Sequence, residues 1–490
     1  MACGQCMFRR GVFCYISAMV DYSGYLSPFS WRYGSARMRK LWSELHKREL
    51  WRGLWVSLAR VESKFGLVSE AQVAELEARA PLVDMERSLA IESEIHHDLM
   101  AEIRAFAELC PLAGGIIHLG ATSMDIEDNA DALRLRESLD VIVAGIKGLL
   151  ASFADRIEAL ADLPVMAFTH LQPAEPTSLG YRCSVWAQDI LLALDLIEEA
   201  RSSVRGKGFK GAVGTSASYA ELLGGENLAA FEAAMEKELG ISFFPVTTQT
   251  ASRIQEYRVL SALACLGAAL HKMAFDFRIL QSPPIGEFLE PFGKKQVGSS
   301  AMPFKRNPIE AEKIDSLARL LSSYPQTAWS NAALSLLERT LDDSANRRTI
   351  LPEAFLACDE LIAASRKIVD GFVVDEGAAS RTLARYAPFA CTERVLMAMA
   401  KVGANRQETH ERLRIHAIAS WEAIRRGEDN PLAERIASDG FFADRLGAEN
   451  IPAFMDARAY LGDSASRARS FARILRGKVS ARMEGSPCST

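Results

Sequence analysis

The chain lacks an excess of charge of either sign. Its 490 residues include 57 lysines and arginines against 62 aspartates and glutamates, which gives a formal charge of −5 at pH 7. This balance gives no reason to expect a nucleic acid or an anionic membrane surface as a partner. The hydrophobic fraction of 49% is ordinary for globular proteins, and the length allows about three domains.

The chain also lacks the clustered cysteines and histidines that form disulfide frameworks and metal sites. Its nine cysteines are scattered, so they are expected to be reduced thiols of an intracellular protein. The single CxxC pair, Cys3 and Cys6, fits a chance occurrence. No HExxH motif is present, and the adjacent His96 and His97 would point about 100° apart on a helix. No metal site is therefore expected.

A long hydrophobic run is missing as well. The nearest approach is the ten-residue stretch 11–20, which follows Arg9 and Arg10. It resembles a signal peptide, but it lacks a convincing cleavage site and is too short to span a bilayer. We expect residues 1–24 to be a disordered extension, or translation to start at Met19. No other membrane span is expected, and the protein is expected to be cytoplasmic.

Helical periodicity is what the chain has in abundance. Between residues 125 and 160, apolar side chains from Leu135 to Leu160 recur at steps of three or four, which predicts roughly 50 Å of helix. A stripe of that length is expected to pack against other long helices, including helices of partner chains. Comparable runs lie at 178–201, 253–280, 308–322 and 350–369. Since strand-like alternation is scarce, the predicted fold is all-α, with a central bundle of very long helices.

The segment 298–312, GSSAMPFKRNPIEAE, combines a small-residue loop with a helix start. Asn307 is a favourable N-cap, Pro308 suits the first helical position, and Glu310 would complete a capping box. A loop that carries two hydroxyls and Lys305 into a helix N-terminus suits an anionic substrate. On composition alone, a surface loop before a helix remains an alternative.

Two further segments stand out. The stretch 206–214, GKGFKGAVG, does not match GxxxxGK[ST] and follows no strand, so a nucleotide-binding P-loop is disfavoured. It could line a substrate site or simply connect two long helices. His170 lies in FTHLQPAEPT, just before a helix that Thr177 is expected to cap. An isolated histidine in such a place is more often a structural hydrogen-bonding group than a catalytic one.

Three motifs together resemble one known family. They are HLGATS at 118–123, GSSAMPFKRNP at 298–308 and LLERTLDDSANRR at 336–348. In this order and spacing they resemble the fumarase/aspartase superfamily, and the KRNP ending resembles its branch that cleaves adenylosuccinate. The resemblance covers the chain from about Ser30 to the last helices. It implies a homotetramer of three-domain subunits, with an N-terminal helical domain at 25–121, a central bundle at 122–372 and a C-terminal helical domain at 373–490.

The resemblance also implies a β-elimination that releases fumarate from adenylosuccinate, giving AMP, and from the succinylaminoimidazole carboxamide ribotide SAICAR, giving AICAR. No cofactor is implied. Ser299 would be the base, and His170 would be the acid that protonates the leaving nitrogen. Lys305 would stabilise the developing negative charge, and Glu312 would orient the imidazole. The two proton-transfer residues would come from different subunits.

The remaining site residues follow from the same resemblance. Those expected at the phosphate end of the substrate are Arg32, Tyr33, Arg339, Ser344 and Arg348, although these arginines could instead pair with Asp342 and Asp343. Those expected elsewhere around the substrate are His97, Asp98, Thr122, Ser123, Gln249, Asn307 and Lys313. Arginines that converge on a phosphate are physically sensible because the guanidinium fork matches phosphate oxygens.

The chain departs from the family pattern at three positions in or near these motifs. Lys313 replaces an arginine and loses its bidentate fork, Leu337 replaces an aromatic residue, and Phe304 replaces a tyrosine. No departure removes a catalytic group. The alternatives are another lyase or cycloisomerase of the superfamily, such as an argininosuccinate lyase, and a catalytically silent structural member of the kind found among lens crystallins.

Overall fold

The computed structural model describes residues 23–480. The predicted extension at 1–24, with its apolar run and its CxxC pair, therefore lies almost entirely outside the described residues. Helices dominate the described part of the chain, and the predicted all-α fold is confirmed.

Six helices form the N-terminal part. They are α1 (Pro28–Trp31), α2 (Ala36–Leu41), α3 (Glu44–Lys64), α4 (Glu70–Arg79), α5 (Met85–Ile95) and α6 (Asp98–Ala107), followed by a 3-10 turn at Gly114–Ile116. Short polar side chains begin α2 to α5, because each accepts a hydrogen bond from a backbone N–H of the first turn. These N-caps are Ser35, Ser43, Ser69 and Asp84.

Eight helices form the central part. They are α7 (Ser123–Ala159), α8 (Leu179–Ser202), α9 (Ala217–Leu223), α10 (Leu228–Leu239), α11 (Ile254–Gln281), α12 (Ile309–Leu321), α13 (Tyr324–Ala333) and α14 (Ser344–Gly371), with a 3-10 turn at Gly225–Asn227. The 37 residues of α7 extend over about 55 Å. Helix α7 packs on α8 and α14, which both pack on α11, so the long helices form the predicted bundle.

The apolar stripe of α7 is covered within the single chain. Its members from Leu135 to Ile157 are at most 1% exposed, because α8, α14 and the C-terminal helix pack over them. The expectation that partner chains cover this stripe is therefore wrong. The large apolar side chains that the bundle leaves exposed lie on other faces, and they include Val185 and Leu192 of α8 and Phe275 of α11.

A β-hairpin, which the helical pattern of the sequence did not predict, interrupts the helices between α7 and α8. Strands β1 (Pro164–Thr169) and β2 (Gln172–Ser178) pair antiparallel. His170 and Leu171 form the turn with φ of 54° and 58°, the left-handed conformation that two-residue hairpin turns require. Ser178, not Thr177, caps α8 by accepting a hydrogen bond from the backbone N–H of Tyr181.

The C-terminal part encloses a second apolar core. Its helices are α15 (Glu376–Lys401), α16 (Arg406–Arg425), α17 (Leu432–Ala437), α18 (Gly440–Leu446), α19 (Ile451–Phe454) and α20 (Ser464–Ser480), with 3-10 turns at Ala448–Asn450 and Ala457–Ala459. Cys391, Val395 and Phe442 are among the members of this core. Helix α20 instead returns to α7 and α8. A two-residue strand pair, β3 (Phe288–Leu289) with β4 (Val373–Val374), precedes α15 along the chain. The domain boundaries at 121 and 372 remain predictions.

Helix α11 is long and apolar enough, by composition, to cross a membrane, which the sequence analysis did not anticipate. In the structure, 56% of the most apolar 18-residue stretch of this helix is buried inside the protein. Burial of this kind is what a helix at the centre of a bundle shows, since its neighbours supply the apolar surroundings.

Glu62, near the end of α3, is the basis of a stability prediction. Its side chain is 1% exposed, neither carboxyl oxygen has a hydrogen-bond partner within residues 23–480, and burial raises its pKa from 4.5 to about 8. An acid whose pKa is raised by folding destabilises the folded state as pH rises between those two values. The contribution of Glu62 to the free energy of unfolding should fall by up to about 1.4 kcal/mol per pH unit in that window.

We expect Glu62→Gln to remove this contribution. Urea unfolding at pH 5, 7 and 9 should show that the variant gains stability relative to the wild type as pH rises. The exposed Glu94→Gln provides a matched control that should follow the wild type. A constant stability difference between Glu62→Gln and the wild type at all three pH values would contradict the account.

Candidate active site

Three of the predicted site residues line one cavity at the start of α14. Asp98 comes from α6, and Ser344 and Arg348 come from the first turns of α14. Arg348 Nη2 donates a hydrogen bond to Asp98 Oδ2 at 2.9 Å. Helix α14 begins at Ser344 and not near 350 as expected, so Ser344 and Arg348 share one helix face at a spacing of four residues. A helix N-terminus beside an arginine is a favourable anion site.

Buried ion pairs fix the start of α14. Arg253 of α11 donates to Asp128 of α7 at 2.8 Å and to Asp343, the N-cap of α14, at 2.7 Å. Arg347 donates to Glu256 of α11 at 2.6 Å. Although burial alone would raise the pKa of the Asp343 carboxyl, the guanidinium groups of Arg253 and Arg347 lower it. This network sets the direction in which the neighbouring Ser344 and Arg348 point.

Arg339 also contributes to this region. Its Nη1 lies 3.2 Å from Asp343 Oδ1. Arg339 therefore pairs with an aspartate of its own motif, which was the expected alternative to binding a phosphate. Its Nη2 lies 4.0 Å from the sulfur of Met124, in the first turn of α7. Gln249 lies close to Arg339, because its backbone N–H donates a hydrogen bond of 3.2 Å to the carbonyl of Glu338, the residue before Arg339. The structure therefore places Gln249 and Arg339 near the start of α7.

The HLGATS motif forms that helix start. The backbone N–H of Thr122 donates to Asp125 Oδ2 at 3.0 Å in a capping box, and Ser123 is the first residue of α7. His118 is a structural histidine: its Nδ1 accepts a hydrogen bond from Trp55 Nε1 at 3.1 Å, and burial lowers its pKa to about 4. Thr122 and Ser123 thus lie where exposed backbone N–H groups favour a carboxylate.

The glycine-rich stretch 206–214 is anchored to the same helix start. The Lys207 ammonium is fully buried and paired with Asp125, and the backbone N–H groups of Lys210 and Gly211 each donate to Asp125 at 3.1 Å. The stretch is therefore more than a connector between long helices. Asp125 was missed as a site-building residue, although its spacing of three from Thr122 is a capping-box signal.

The adjacent histidines lie at the ends of two different helices. His96 ends α5 in the left-handed conformation with φ of 54°, and His97 is the N-cap of α6, where its Nδ1 accepts from the backbone N–H of Met100 at 3.4 Å. The bend between them turns Asp98 toward Arg348. Within residues 23–480 no group of three or more histidine, cysteine, aspartate or glutamate side chains could hold a metal ion.

The segment with Arg32 and Tyr33 is held against α14 by two carboxylates. The backbone N–H of Gly34 donates to Glu360 Oε2 at 3.2 Å, and that of Ser35 donates to Asp359 Oδ2 at 2.6 Å. The Arg32 guanidinium lies 5.9 Å from the ring centre of Tyr33. These contacts place the Arg32 segment along α14, the helix that carries Arg348.

Lys313 does not line the Arg348 cavity. Its ammonium lies 2.8 Å from Glu360 Oε1 and 2.9 Å from Glu310 Oε2. Although burial lowers its pKa, the two carboxylates raise it, so Lys313 stays charged. Because Glu360 also accepts from Gly34, Lys313 supports the Arg32 segment through an ion pair. Its expected direct contact with substrate has no support in these contacts.

The signature loop 298–307 is closed by its own hydrogen bonds. Ser299 Oγ accepts from the backbone N–H of Met302 at 3.1 Å, and Asn307 Nδ2 donates to the carbonyl of Gly298 at 3.0 Å. A Cβ at Gly298 would collide with the backbone oxygen of Lys305, so only glycine fits there. Residues 300–306 are all exposed to solvent.

The predicted capping box at Asn307 and Glu310 is wrong. Helix α12 begins at Ile309, and its first N–H groups, those of Glu310 and Ala311, donate to the carboxylate of Glu290 at 3.1 and 2.7 Å. The Asn307 amide is occupied by the loop instead. Glu290 is distant in sequence, and no local pattern in the sequence marks it as a cap.

The other proposed catalytic groups are exposed and separate in the single chain. His170 is exposed at the hairpin tip, and Glu312 is half exposed, with its carboxylate 3.8 Å from Arg278. Within the described residues, no hydrogen bond or ion pair joins His170 to Ser299, Lys305 or Glu312. The single chain therefore assembles the anion cavity but does not bring the proposed catalytic residues together.

Comparison with known proteins identifies the family of the chain. A model of the lyase family matches residues 68–320, and a model of the adenylosuccinate lyase C-terminus matches residues 388–471. Among solved structures, a fumarate lyase from Mesorhizobium sp. BNC1 matches with a TM-score of 0.79 at 24% identity, covering 90% of this chain and 98% of that one. A 3-carboxy-cis,cis-muconate lactonizing enzyme from Pseudomonas putida matches with a TM-score of 0.80 at 23% identity, covering 91% and 98%. These structures define the class: the chain has the fold of the fumarate lyases.

Curated relatives narrow this class. Adenylosuccinate lyase from Saccharomyces cerevisiae is 38% identical over 461 residues, covering 92% of this chain and 95% of the relative. Adenylosuccinate lyase from Pyrococcus abyssi is 36% identical over 411 residues, covering 82% and 90%. The chain belongs to the adenylosuccinate lyase family.

The Glu290 cap leads to a prediction about the start of α12, the helix that follows the signature loop. Glu290→Ala should leave the N–H groups of Glu310 and Ala311 without an acceptor and cost roughly 1 kcal/mol at this helix end. Hydrogen exchange should show these two amides exchanging about fivefold faster than in the wild type. Lys294→Ala, at an exposed position of the same segment, is the control. Unchanged exchange in Glu290→Ala would show that Glu290 does not hold this helix start.

Proposed function

We propose that this protein cleaves adenylosuccinate to fumarate and AMP, and SAICAR to fumarate and AICAR, as a cytoplasmic carbon–nitrogen lyase without a cofactor. The observation that carries the proposal is the cavity at the start of α14, where Ser344 and Arg348 meet Asp98. An arginine and a helix N-terminus are the groups that a nucleotide phosphate requires. Membership of the family supplies the reaction type.

The proposed reaction is a β-elimination. Ser299, after losing its hydroxyl proton to solvent, acts as an alkoxide base: it removes a proton from the carbon next to a succinyl carboxylate and becomes a neutral hydroxyl, and the electron pair left on the carbon spreads into that carboxylate. The C–N bond then breaks, His170 gives its proton to the departing nitrogen, and fumarate leaves. A serine hydroxyl is a very weak acid, so Lys305 and Asn307 must stabilise the negative charge on the serine oxygen and on the substrate where it develops. Glu312 orients His170.

The proposed substrate contacts divide into two groups. The proposed contacts to the phosphate end are Arg348 and Ser344, together with Arg32, Tyr33 and Arg339. The succinyl end is held by Thr122 and Ser123 at the N-terminus of α7, with Gln249 nearby. The remaining proposed contacts are His97 and Asp98, of which Asp98 accepts a hydrogen bond from Arg348. The proposed division assigns one anionic group of the substrate to each of two helix N-termini, because a helix N-terminus favours an anion.

We also propose that the site is completed by other copies of the chain in a homotetramer. His170 and the segment 300–306 are exposed in the single chain, which suits groups that act in a site shared between subunits. Large apolar side chains on the bundle surface offer contact area for association. They include Val185, Leu192 and Leu196 on α8 and Phe275 on α11.

The direct test is fumarate release. Purified protein should release fumarate from adenylosuccinate and SAICAR, and should release none from argininosuccinate. Release from argininosuccinate alone would point to a different lyase of the superfamily. The absence of release from all three substrates would point to a structural member of the family and overturn the proposal.

The assembly has its own prediction. Light scattering should give a mass about four times the 53.8 kDa of the chain. Leu192→Asp, which places a charge in the exposed apolar face of α8, should shift the population toward smaller species. Ala71→Asp adds the same single charge at an exposed position of α4, away from the apolar faces of α8 and α11, and is the control for charge change alone. A monodisperse monomer that retains full activity would contradict the shared site.

The base assignment separates two neighbouring serines. Ser299→Ala should nearly abolish kcat while substrate affinity stays within a few fold, because a base acts in the transition state. Ser300→Ala is the matched control and should be milder. The measurements are kcat and direct binding of adenylosuccinate for both variants. If Ser300→Ala is inactive and Ser299→Ala retains most of its activity, Ser299 is not the base.

A further inference from the structure

The Arg348 cavity contains one carboxyl group without a partner. Glu127, in the second turn of α7, lines this cavity together with Asp98, Ser344 and Arg348. Its carboxyl makes no hydrogen bond or ion pair within residues 23–480. Nothing in the proposed reaction uses Glu127.

The other charged groups of the cavity are paired. On α3, Lys47 lies 2.6 Å from Glu44, and Arg348 of α14 holds Asp98 of α6 at 2.9 Å. On α7 itself, Asp131 pairs with Arg134 and, at 2.9 Å, with Arg347 of α14. The cavity thus has four carboxyl groups and four cationic groups, and Glu127 is the carboxyl that the pairing leaves over.

The surroundings of Glu127 favour its neutral form. Its pKa is raised from 4.5 to about 8, mainly by burial and also by the carboxylates of Asp98, Asp128 and Asp131, while Arg347 acts in the opposite direction. At neutral pH the side chain is therefore an uncharged acid, and above pH 8 it becomes a carboxylate.

A phosphate bound at Arg348 would change this balance. A nucleotide monophosphate is a dianion above pH 7, and it would compete with Asp98 for the Arg348 guanidinium. Two negative charges would then lie in the same cavity as Glu127. An ionised Glu127 would repel them, whereas a protonated one would not and could donate a hydrogen bond.

We propose that Glu127 is a proton-linked specificity residue, which must carry a proton for a phosphate-bearing ligand to occupy the cavity. This inference rests on the proposed function, since it assumes that the phosphate end of the substrate binds at Arg348. When the free protein has lost that proton, ligand binding takes one from solvent and places it on the Glu127 carboxylate. Affinity for the ligand therefore falls as pH rises through the range in which Glu127 ionises.

The test is calorimetry of AMP binding at pH 8.5, in two buffers that differ in ionisation enthalpy. AMP is fully dianionic at this pH, so its own phosphate contributes no proton. Wild-type protein should take up roughly half a proton or more per AMP bound, because Glu127 starts largely ionised and ends protonated. Its affinity for AMP should also weaken about tenfold between pH 7 and pH 9.

Glu127→Gln keeps the shape of the protonated acid and cannot ionise. The variant should bind AMP without proton uptake and with an affinity that is unchanged between pH 7 and pH 9. Glu44→Gln removes a paired carboxyl from the same cavity and should leave the proton uptake in place. The KM for adenylosuccinate should rise with pH in the wild type and stay flat in Glu127→Gln, whatever the value of kcat.

The outcomes separate this inference from the proposed function. A wild-type protein that releases fumarate but binds AMP without proton uptake, or takes up the same fraction of a proton after Glu127→Gln, overturns the role of Glu127 alone. A protein that neither binds AMP nor releases fumarate overturns the proposed function and this inference with it.

Discussion

The candidate site depends on the buried charge network that ties α7, α11 and α14 together. Arg253 and Arg347 join Asp128, Asp343 and Glu256 across the three helices. Removing one member of such a network leaves an uncompensated buried charge, which typically costs about 3–5 kcal/mol. The network therefore fixes the register of the long helices, and with it the position of the α14 N-terminus on which the anion cavity is built.

The charge network also explains a division between neighbouring arginines. Arg347 is buried and engaged by Glu256, whereas the next residue, Arg348, reaches the cavity and is 57% exposed. Two adjacent helical residues point about 100° apart, so one side chain can form buried ion pairs while the other lines a ligand-binding cavity. The same helix thus provides both the rigid support and the binding group.

Much of the fold could be predicted from local pattern. The start and end of α7 fall within two residues of the predicted 125–160, because a stripe with 3.6-residue spacing is an unambiguous signal over ten turns. The β-hairpin was missed because β2 has prolines at 173 and 176, which hide the alternation expected of a strand. The expectation that partner chains cover the apolar stripe of α7 was wrong, because periodicity reveals that a face is buried but not which chain buries it.

The site was less predictable where a residue that is distant in sequence makes the contact expected of a neighbouring residue. Motifs identified Asp98, Ser344 and Arg348, which the structure brings together. The cap of α12 was wrong because Glu290, remote in sequence, takes the position that a local capping box would fill. The expected contact of Lys313 with substrate lost its support for a similar reason, since Glu360 on another helix holds that ammonium. Neither partner has a local sequence signal.

In the proposed shared site, one chain builds the anion cavity, and His170 and Ser299 act together only when different chains contribute them. The most direct test mixes inactive His170→Ala protein with inactive Ser299→Ala protein under conditions of proven subunit exchange. Mixed assemblies contain some sites with neither substitution, so fumarate release should reappear at a fraction of the wild-type rate. If exchange occurs and no activity returns, the two residues belong to the same chain's site, and the claim is contradicted.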